Sequence, residues 1–379
     1  MRLLFDLRTV RSLPTAGRIY LAALTDGLLP ALAEGDAVLI LRAPGAPAPL
    51  SPIEHPSVFY REARFPGRTF RGARELNRIT QDFRPDVYWS ADPLCAPPSA
   101  RGRPLKTVYA VEETLHFYES DRFGWLERWS WQAFACKRLR AAAALVCPSH
   151  ALAVRLVAAL GFRVRSRTHI VTNGILPVFR RYSAQEVLEA RRKWRVPQRY
   201  VLLVGRTSER HNFETPLKAL AETSEVSSVP CVILGAAQTP ADLREQIRDF
   251  HLEGMVRFLD IDALSLPETA ALISGAAMVF EPSLSADYRP TVLRSMACGT
   301  PVVCAASAVN AELFGNAVLR VHPTDVAEWG KAFSALMISS SLRERLIARG
   351  LERTTPLTWT ATAKRSMAIA RALTEPGTP

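Results

Sequence analysis

The six cysteines of this chain (Cys95, Cys136, Cys147, Cys231, Cys298 and Cys304) include no C-x-x-C pair. That pattern excludes a zinc ribbon or a disulfide scaffold and reads as buried thiols in a reducing compartment. No stretch approaches the ~20 uncharged apolar residues of a membrane span. The longest candidate, AAAALVCPSHALAV, carries a proline and a histidine and is closed by Arg140 and Arg155. MRLLFDLRTVR at the start has neither a secretory apolar region nor a small-residue cleavage site. G-x-G-x-x-G, a P-loop and G-x-S-x-G are all missing, which excludes a dinucleotide dehydrogenase, a P-loop protein and the common serine hydrolases. His116, His169 and His322 lack metal-ligand spacing. His150, in PSHAL, reads as a residue at the start of a helix. No 20–50-residue repeat and no low-complexity run is evident. The expectation is a soluble, cytoplasmic protein.

What remains is ordinary globular composition, 48% hydrophobic and 22% charged over 379 residues, enough for two cores. The charge is uneven. Residues 1–200 hold 31 Lys and Arg against 17 Asp and Glu, and residues 201–379 hold 17 against 19. A basic front half and a near-neutral back half imply two domains facing different partners.

Apolar runs alternate with helical spacing throughout. RLLFDL (2–7), AVLIL (37–41), DVYWS (86–90), KTVYAV (106–111), ALVCPS (144–149) and THIVTN (168–173) are predicted strands. Leu21, Leu24, Leu28 and Leu32 mark one helix between them; Ala153, Val157 and Leu160 mark another. The back half repeats the pattern with YVLLVG (200–205), PCVILG (230–235), VRFLD, AMVFEPS, TPVVCA and AVLRV. Asn212 is expected to cap a helix with Pro216 in its first turns. Continuous apolar strands separated by helices predict parallel sheets covered on both faces, as two doubly wound α/β units in tandem. Residues 176–198 are the expected linker.

Such sheets bind ligands beyond the carboxyl ends of their strands. Three loops there stand out. Gly17 precedes a helix in RTVRSLPTAGRIY, where backbone amides can approach an anion. Arg206, Arg210 and His211 project from the junction GRTSERHN, where cations and a helix start suit a diphosphate. Ser283 lies in VFEPSLSADYRPTVLRSMACGTPVVCA, where the small residues Ala297 to Gly299 let backbone pack close to a ligand.

Seven segments in order carry a resemblance. TAGRIY, CPSHALAVRL, VTNGILPVFRR, VGRTSERHN, MACGTPVV, AELFGNAVLRVHPTD and SLRERLIARGLERTTPLTWTATA resemble motifs of the retaining group 1 (family 4) glycosyltransferases, most closely their mannosyltransferase-like members. The resemblance implies the GT-B fold, two Rossmann-like domains facing a central cleft. Residues 1–180 would hold the acceptor and residues 181–357 the nucleotide-sugar. Residues 358–379 would form a helix crossing back to the first domain. The implied partners are a nucleotide-diphosphate sugar and a glycan or lipid-linked acceptor, with no metal or other cofactor. An anionic membrane surface is a further implied partner, placing the protein at the inner face of the cytoplasmic membrane. The run ESDRFGWLERWSWQAFACKRLR fits that surface. It interleaves Trp125, Trp129, Trp131 and Phe134 with Arg122, Arg128, Lys137 and Arg138; the alternative is a helix with its tryptophans in the core. Arginine-rich YREARFPGRTFRGARELNR is the one place a nucleic-acid surface could be read, and no nucleic-acid partner is expected.

The family's working side chains are largely replaced. Its histidine falls on Val111 and the neighbouring acid on Glu112. Its lysine falls on His211, its aspartate on Leu176, and its two glutamates on Ala286 and Arg294. A carboxylate accepts hydrogen bonds whereas a guanidinium only donates. Two accounts follow. In a divergent active transferase, Arg206, Arg210, His211 and Arg294 clamp the donor diphosphate, while Glu112 or Asp287 takes over contacts to the sugar as the catalytic acids. In the alternative, the chain is a binding or scaffolding protein of the same polysaccharide pathway.

Overall fold

The computed structural model describes residues 1–8, 20, 23–25, 27–43, 55–95, 105–118, 123–205, 211–223, 229–235, 241–284, 288 and 290–375. The chain divides into two compact units, Met1–Gly174 with Leu357–Pro379, and Ile175–Pro356.

The first unit is built on a seven-stranded parallel sheet of β1 (Arg2–Leu7), β2 (Ala37–Arg42), β3 (Val58–Glu62), β4 (Val87–Ser90), β5 (Lys106–Ala110), β6 (Ala144–Cys147) and β7 (Thr168–Ile170). Its order is β3-β2-β1-β4-β5-β6-β7. The central strands are buried along their length, β4 and β6 at every position, as a sheet covered on both faces demands. Its helices include α1 (Phe70–Phe83), the single turn α2 (Leu115–Tyr118), α3 (Trp125–Ser130), α4 (Cys136–Ala141) and α5 (His150–Leu160). A π-turn, Trp131–Ala135, joins α3 to α4. His150 opens α5 directly after its cap Ser149, whose hydroxyl accepts from Leu152 N–H.

The second unit repeats the design. α6 (Ala184–Trp194) leads into β8 (Val201–Val204), α7 (Glu214–Glu222), β9 (Cys231–Gly235), α8 (Ala241–Asp249), β10 (Val256–Asp260), α9 (Leu266–Gly275), β11 (Met278–Glu281), α10 (Pro290–Ala297), β12 (Val302–Ala305), α11 (Ala308–Phe314), β13 (Leu319–Val321), α12 (Val326–Ile338) and α13 (Ser340–Thr354). The six parallel strands run β10-β9-β8-β11-β12-β13. The tandem doubly wound reading is therefore borne out.

α14 (Trp359–Ala372) belongs to the first unit. Its Thr362 hydroxyl donates to Thr172 O at 2.9 Å. Arg371 donates to Asp36 and to Ala31 O, both at 2.7 Å.

Two sequence expectations need correction. Residues 176–198 are no linker: a capping box of Ser183 with Glu186 starts α6, which packs on α9 inside the second unit. The leucine stripe from Leu21 does not run on as one helix, because Pro30 sits in a 3-10 turn, Leu29–Ala31, and leaves Leu29 exposed. The arginine-rich run at 60–78 is β3 and α1, with Leu76 and Ile79 in the core. Several of its polar groups are engaged within the unit. Arg68 pairs with Asp92 at 2.8 Å, and Glu75 accepts from the Arg64 N–H.

Candidate active site

Strand order reverses between β1 and β4 in the first unit and between β8 and β11 in the second. At such points the outgoing loops diverge and leave a crevice beyond the carboxyl ends.

In the second unit this place is built on Gly205 and Asn212. A Cβ at Gly205 would lie 2.6 Å from Cδ2 of His211, so the imidazole rests on a backbone position that only glycine leaves bare. Asn212 follows with a left-handed φ of 48°, a conformation asparagine tolerates. Its amide nitrogen donates to Pro282 O at 3.2 Å and Pro323 O at 2.6 Å. Its amide oxygen accepts from the Thr215 hydroxyl at 2.7 Å. One side chain thus joins the loops after β8, β11 and β13. The expected capping role differs: Phe213 occupies the cap of α7, because the Asn212 side chain is committed across the strand ends. Ser283 is buried beside Pro282.

Arg294 sits on α10 with its guanidinium carbon 4.8 Å from the Phe179 ring centroid. Burial lowers its pKa from the usual guanidinium value, opposed by the nearby Tyr288 and Cys298. Sequence reasoning passed over Glu281, a buried carboxylate at the end of β11. Burial, with Glu281 nearby, pushes the Cys304 thiol up. The signal was available: an acid closing an otherwise apolar strand.

In the first unit Glu112 follows β5 and helps line a cavity of about 50 Å³ at the ends of β4 and β5. Val111, Asp92, Arg68, His116 and Trp131 share that lining. Glu112 is almost fully buried, and one of its oxygens accepts from Asn173 Nδ2 at 2.5 Å. Burial pushes its carboxyl up to about 8; the Asn173 bond opposes the shift and Glu113 adds to it. His116 is stacked between Phe123 and Trp131, each ring 3.9 Å away, and burial lowers its pKa despite Glu127 at 3.2 Å. Beside this cavity, at the end of β1, Arg8 and Asp6 form a fully buried pair at 2.7 Å, with the Tyr88 hydroxyl donating to the same carboxylate.

Of the predicted site residues, His211 and Ser283 come to one edge of the second sheet, Arg294 lies on the following helix, and Glu112 lies in the first unit. Gly17, Arg206, Arg210, Asp287 and the family position Ala286 lie outside the described residues. Among the described residues no group of three acids, histidines or cysteines could hold a metal ion, and no helix is long and apolar enough to cross a membrane.

Two doubly wound units with a returning carboxyl-terminal helix define a class of fold. HepE of Anabaena, solved in complex with UDP-glucose, superposes with a TM-score of 0.72 over 98% of this chain and 99% of its own, at 15% identity. The fold is GT-B. Residues 185–353 match the family described as Glycosyl transferases group 1, and residues 22–177 match Glycosyltransferase Family 4; the chain belongs to the group 1, family 4 glycosyltransferases. Among curated relatives, D-inositol 3-phosphate glycosyltransferase of Nocardioides sp. is 27% identical over 54% of this chain. O-antigen chain mannosyltransferase B of Escherichia coli is 29% identical over 47% of it. The matched stretch spans about half the length of each relative, 48% and 47%.

Proposed function

We propose that the protein transfers a sugar from a nucleoside-diphosphate sugar to a glycan or lipid-linked acceptor, with retention of anomeric configuration, in surface polysaccharide or glycolipid assembly. One observation carries the reading. At the strand-order reversal of the second unit, Asn212 ties together the loops after β8, β11 and β13, at the edge where a doubly wound sheet receives a nucleotide. Family membership supports transfer, and UDP-glucose bound to HepE supports the donor class. The mannosyltransferase among the relatives makes mannosyl donors the first to test.

In the reaction the bond from the anomeric carbon to the diphosphate oxygen breaks, and the acceptor oxygen bonds to that carbon on the same face. The acceptor proton passes to the departing diphosphate. Positive charge near that diphosphate stabilises it as it leaves. Arg206, Arg210 and His211, which follow β8 in the chain, are assigned that task together with Arg294. Asp287 is assigned to the transferred sugar. Glu112, protonated at neutral pH when its carboxyl titrates near 8, is assigned as a hydrogen-bond donor to a sugar hydroxyl rather than as a stabilising anion.

The acceptor is assigned to the first unit, which carries most of the positive charge. Support for an anionic membrane surface comes from α3 and the π-turn. Trp125 is 74% and Trp129 59% exposed, α3 buries no residue, and Arg128 and Lys137 are exposed beside them.

Thermal shift with UDP, GDP and their glucose and mannose conjugates tests the reading, followed by a radiolabelled transfer assay. One base should raise the melting temperature by mass action, with Arg210→Ala and Arg294→Ala each reducing the rise. No shift with any nucleotide at millimolar concentration would remove the transferase assignment and return the chain to the scaffolding account.

A further inference from the structure

The second unit has another concavity, on the edge opposite its nucleotide loops. It is a solvent-open hollow of about 550 Å³, within the ~300–1,000 Å³ common for small-molecule sites. Its walls are the residues that enter the strands. Arg199 precedes β8, Ala277 precedes β11 and Pro301 precedes β12. His211 and Ser283 follow β8 and β11. In a parallel sheet these are different ends, about 13 Å apart for a four-residue strand at ~3.3 Å per residue.

Three arginines line this cavity, Arg181, Arg199 and Arg343, and among the described residues no carboxylate does. Arg343 is already fixed: its Nη1 donates to Leu336 O at 2.5 Å and Met337 O at 3.1 Å, leaving its other donors for a ligand. Arg181 lays its stem along Gly299, where a Cβ would lie 3.5 Å from its Cδ. Neither the Arg181 nor the Arg199 guanidinium has an ion pair or hydrogen bond among the described residues. The neighbouring acid Glu186 is taken up by Arg180 at 2.7 Å and by Ser183. Gln198 adds an exposed amide to the lining.

A ligand-sized hollow lined by three arginines and, among the described residues, no acid is a site for a strong, compact anion. Guanidinium forks match phosphate oxygens in pairs, and a phosphate monoester carries roughly −1.5 to −2 at neutral pH. We propose that this cavity binds a small phosphorylated metabolite, at a site separate from the sugar donor's. The inference does not rest on the transferase assignment, because no described residue of the nucleotide loops lines the cavity.

Isothermal titration of the full chain at fixed ionic strength tests it, with glucose 6-phosphate, inorganic phosphate and uncharged glucose as probes and UDP present throughout. Both phosphorylated probes should bind at millimolar concentration or below and glucose should not. Inorganic phosphate binding as tightly as the ester assigns the site to phosphate itself; tighter ester binding assigns it to an ester. Arg181→Gln/Arg199→Gln should weaken binding at least about tenfold, while its melting temperature without phosphate stays that of the parent, since both side chains are exposed. Lys218→Gln/Arg248→Gln removes the same charge from α7 and α8 and should leave affinity unchanged. Equal weakening in the two double variants would reduce the effect to net charge, and failure of both phosphorylated probes to bind would end the proposal.

Discussion

Glu112 sits at the end of β5 with Asn173 holding one oxygen and Tyr20 and Cys147 close enough to feel its charge. An unfolded glutamate titrates near 4.3, whereas burial pushes this one to about 8. Between those values the folded chain keeps a proton that the unfolded chain has lost, so stability falls as pH rises through the window. Glu112→Gln removes the titration and keeps an acceptor for Asn173. Its stability should match the parent near pH 4 and exceed it at pH 8 by on the order of a few kcal/mol. Chemical denaturation at both pH values checks this, and parallel pH curves for the two proteins would refute it. The sequence placed Glu112 by its position one residue after the family's histidine slot. Its burial was not readable there, because that depends on Asn173, sixty-one residues away in the chain. Asn212 shows the same limit: the sequence marks it as a helix-cap type, but its amide partners, Pro282 and Pro323, are brought to it only by the sheet order.

The elements legible in advance were those whose strands are apolar throughout, such as β1, β4, β8 and β11. β3 and α1 were not anticipated. β3 is an edge strand with only Val58 buried, so its apolar signal is diluted. α1 buries little beyond Leu76, Ile79 and Thr80 and spends its remaining faces on arginines. α6 was misread as a linker although S-A-Q-E, its capping box, was in view; only Ala190 of that helix is fully buried. α3 lies at the other extreme, with an apolar face that no described residue covers. Trp129 and Phe134 meet edge to face at 5.6 Å, extending the face into the π-turn. Two exposed indoles beside Arg128 and Lys137 suit the interface of an anionic bilayer. Trp125→Ser/Trp129→Ser should lose most co-sedimentation with phosphatidylserine-containing vesicles, and parent binding should decline as salt rises. Since neither indole is buried, the melting temperature should hardly move. Unchanged sedimentation of the double variant would remove α3 as the docking element.

At the scale of the whole chain, the first unit is finished only when the last segment returns. The backbone leaves at Gly174 and comes back at Leu357. The start of α14 passes against two glycines: a Cβ at Gly27 would lie 2.3 Å from Trp359 O, and one at Gly174 would lie 2.3 Å from Trp359 N. Both obstacles are backbone, which cannot rotate aside as a side chain can. Further along, Arg371 and the amino terminus share Asp36, at 2.7 and 3.3 Å. Burial alone would raise the Asp36 carboxyl. The Ala33 N–H, Arg371 and the terminal amine outweigh it and hold the carboxyl below its usual range. That contribution is present above the unfolded pKa and is lost as pH falls through the lower folded one. Gly174→Ala therefore acts on the return of the chain rather than on a local turn. It should destabilise the first unit by more than about 2 kcal/mol, as an overpacked contact with no room to relax does. Hydrogen exchange by mass spectrometry separates the units: amides of β1, β4, β5 and α14 should exchange faster, while those of β8, β11 and β12 keep their protection. Uniform loss of protection across both sheets would mean that the returning helix stabilises the molecule as one cooperative body, and the assignment of α14 to the first unit's stability alone would fail.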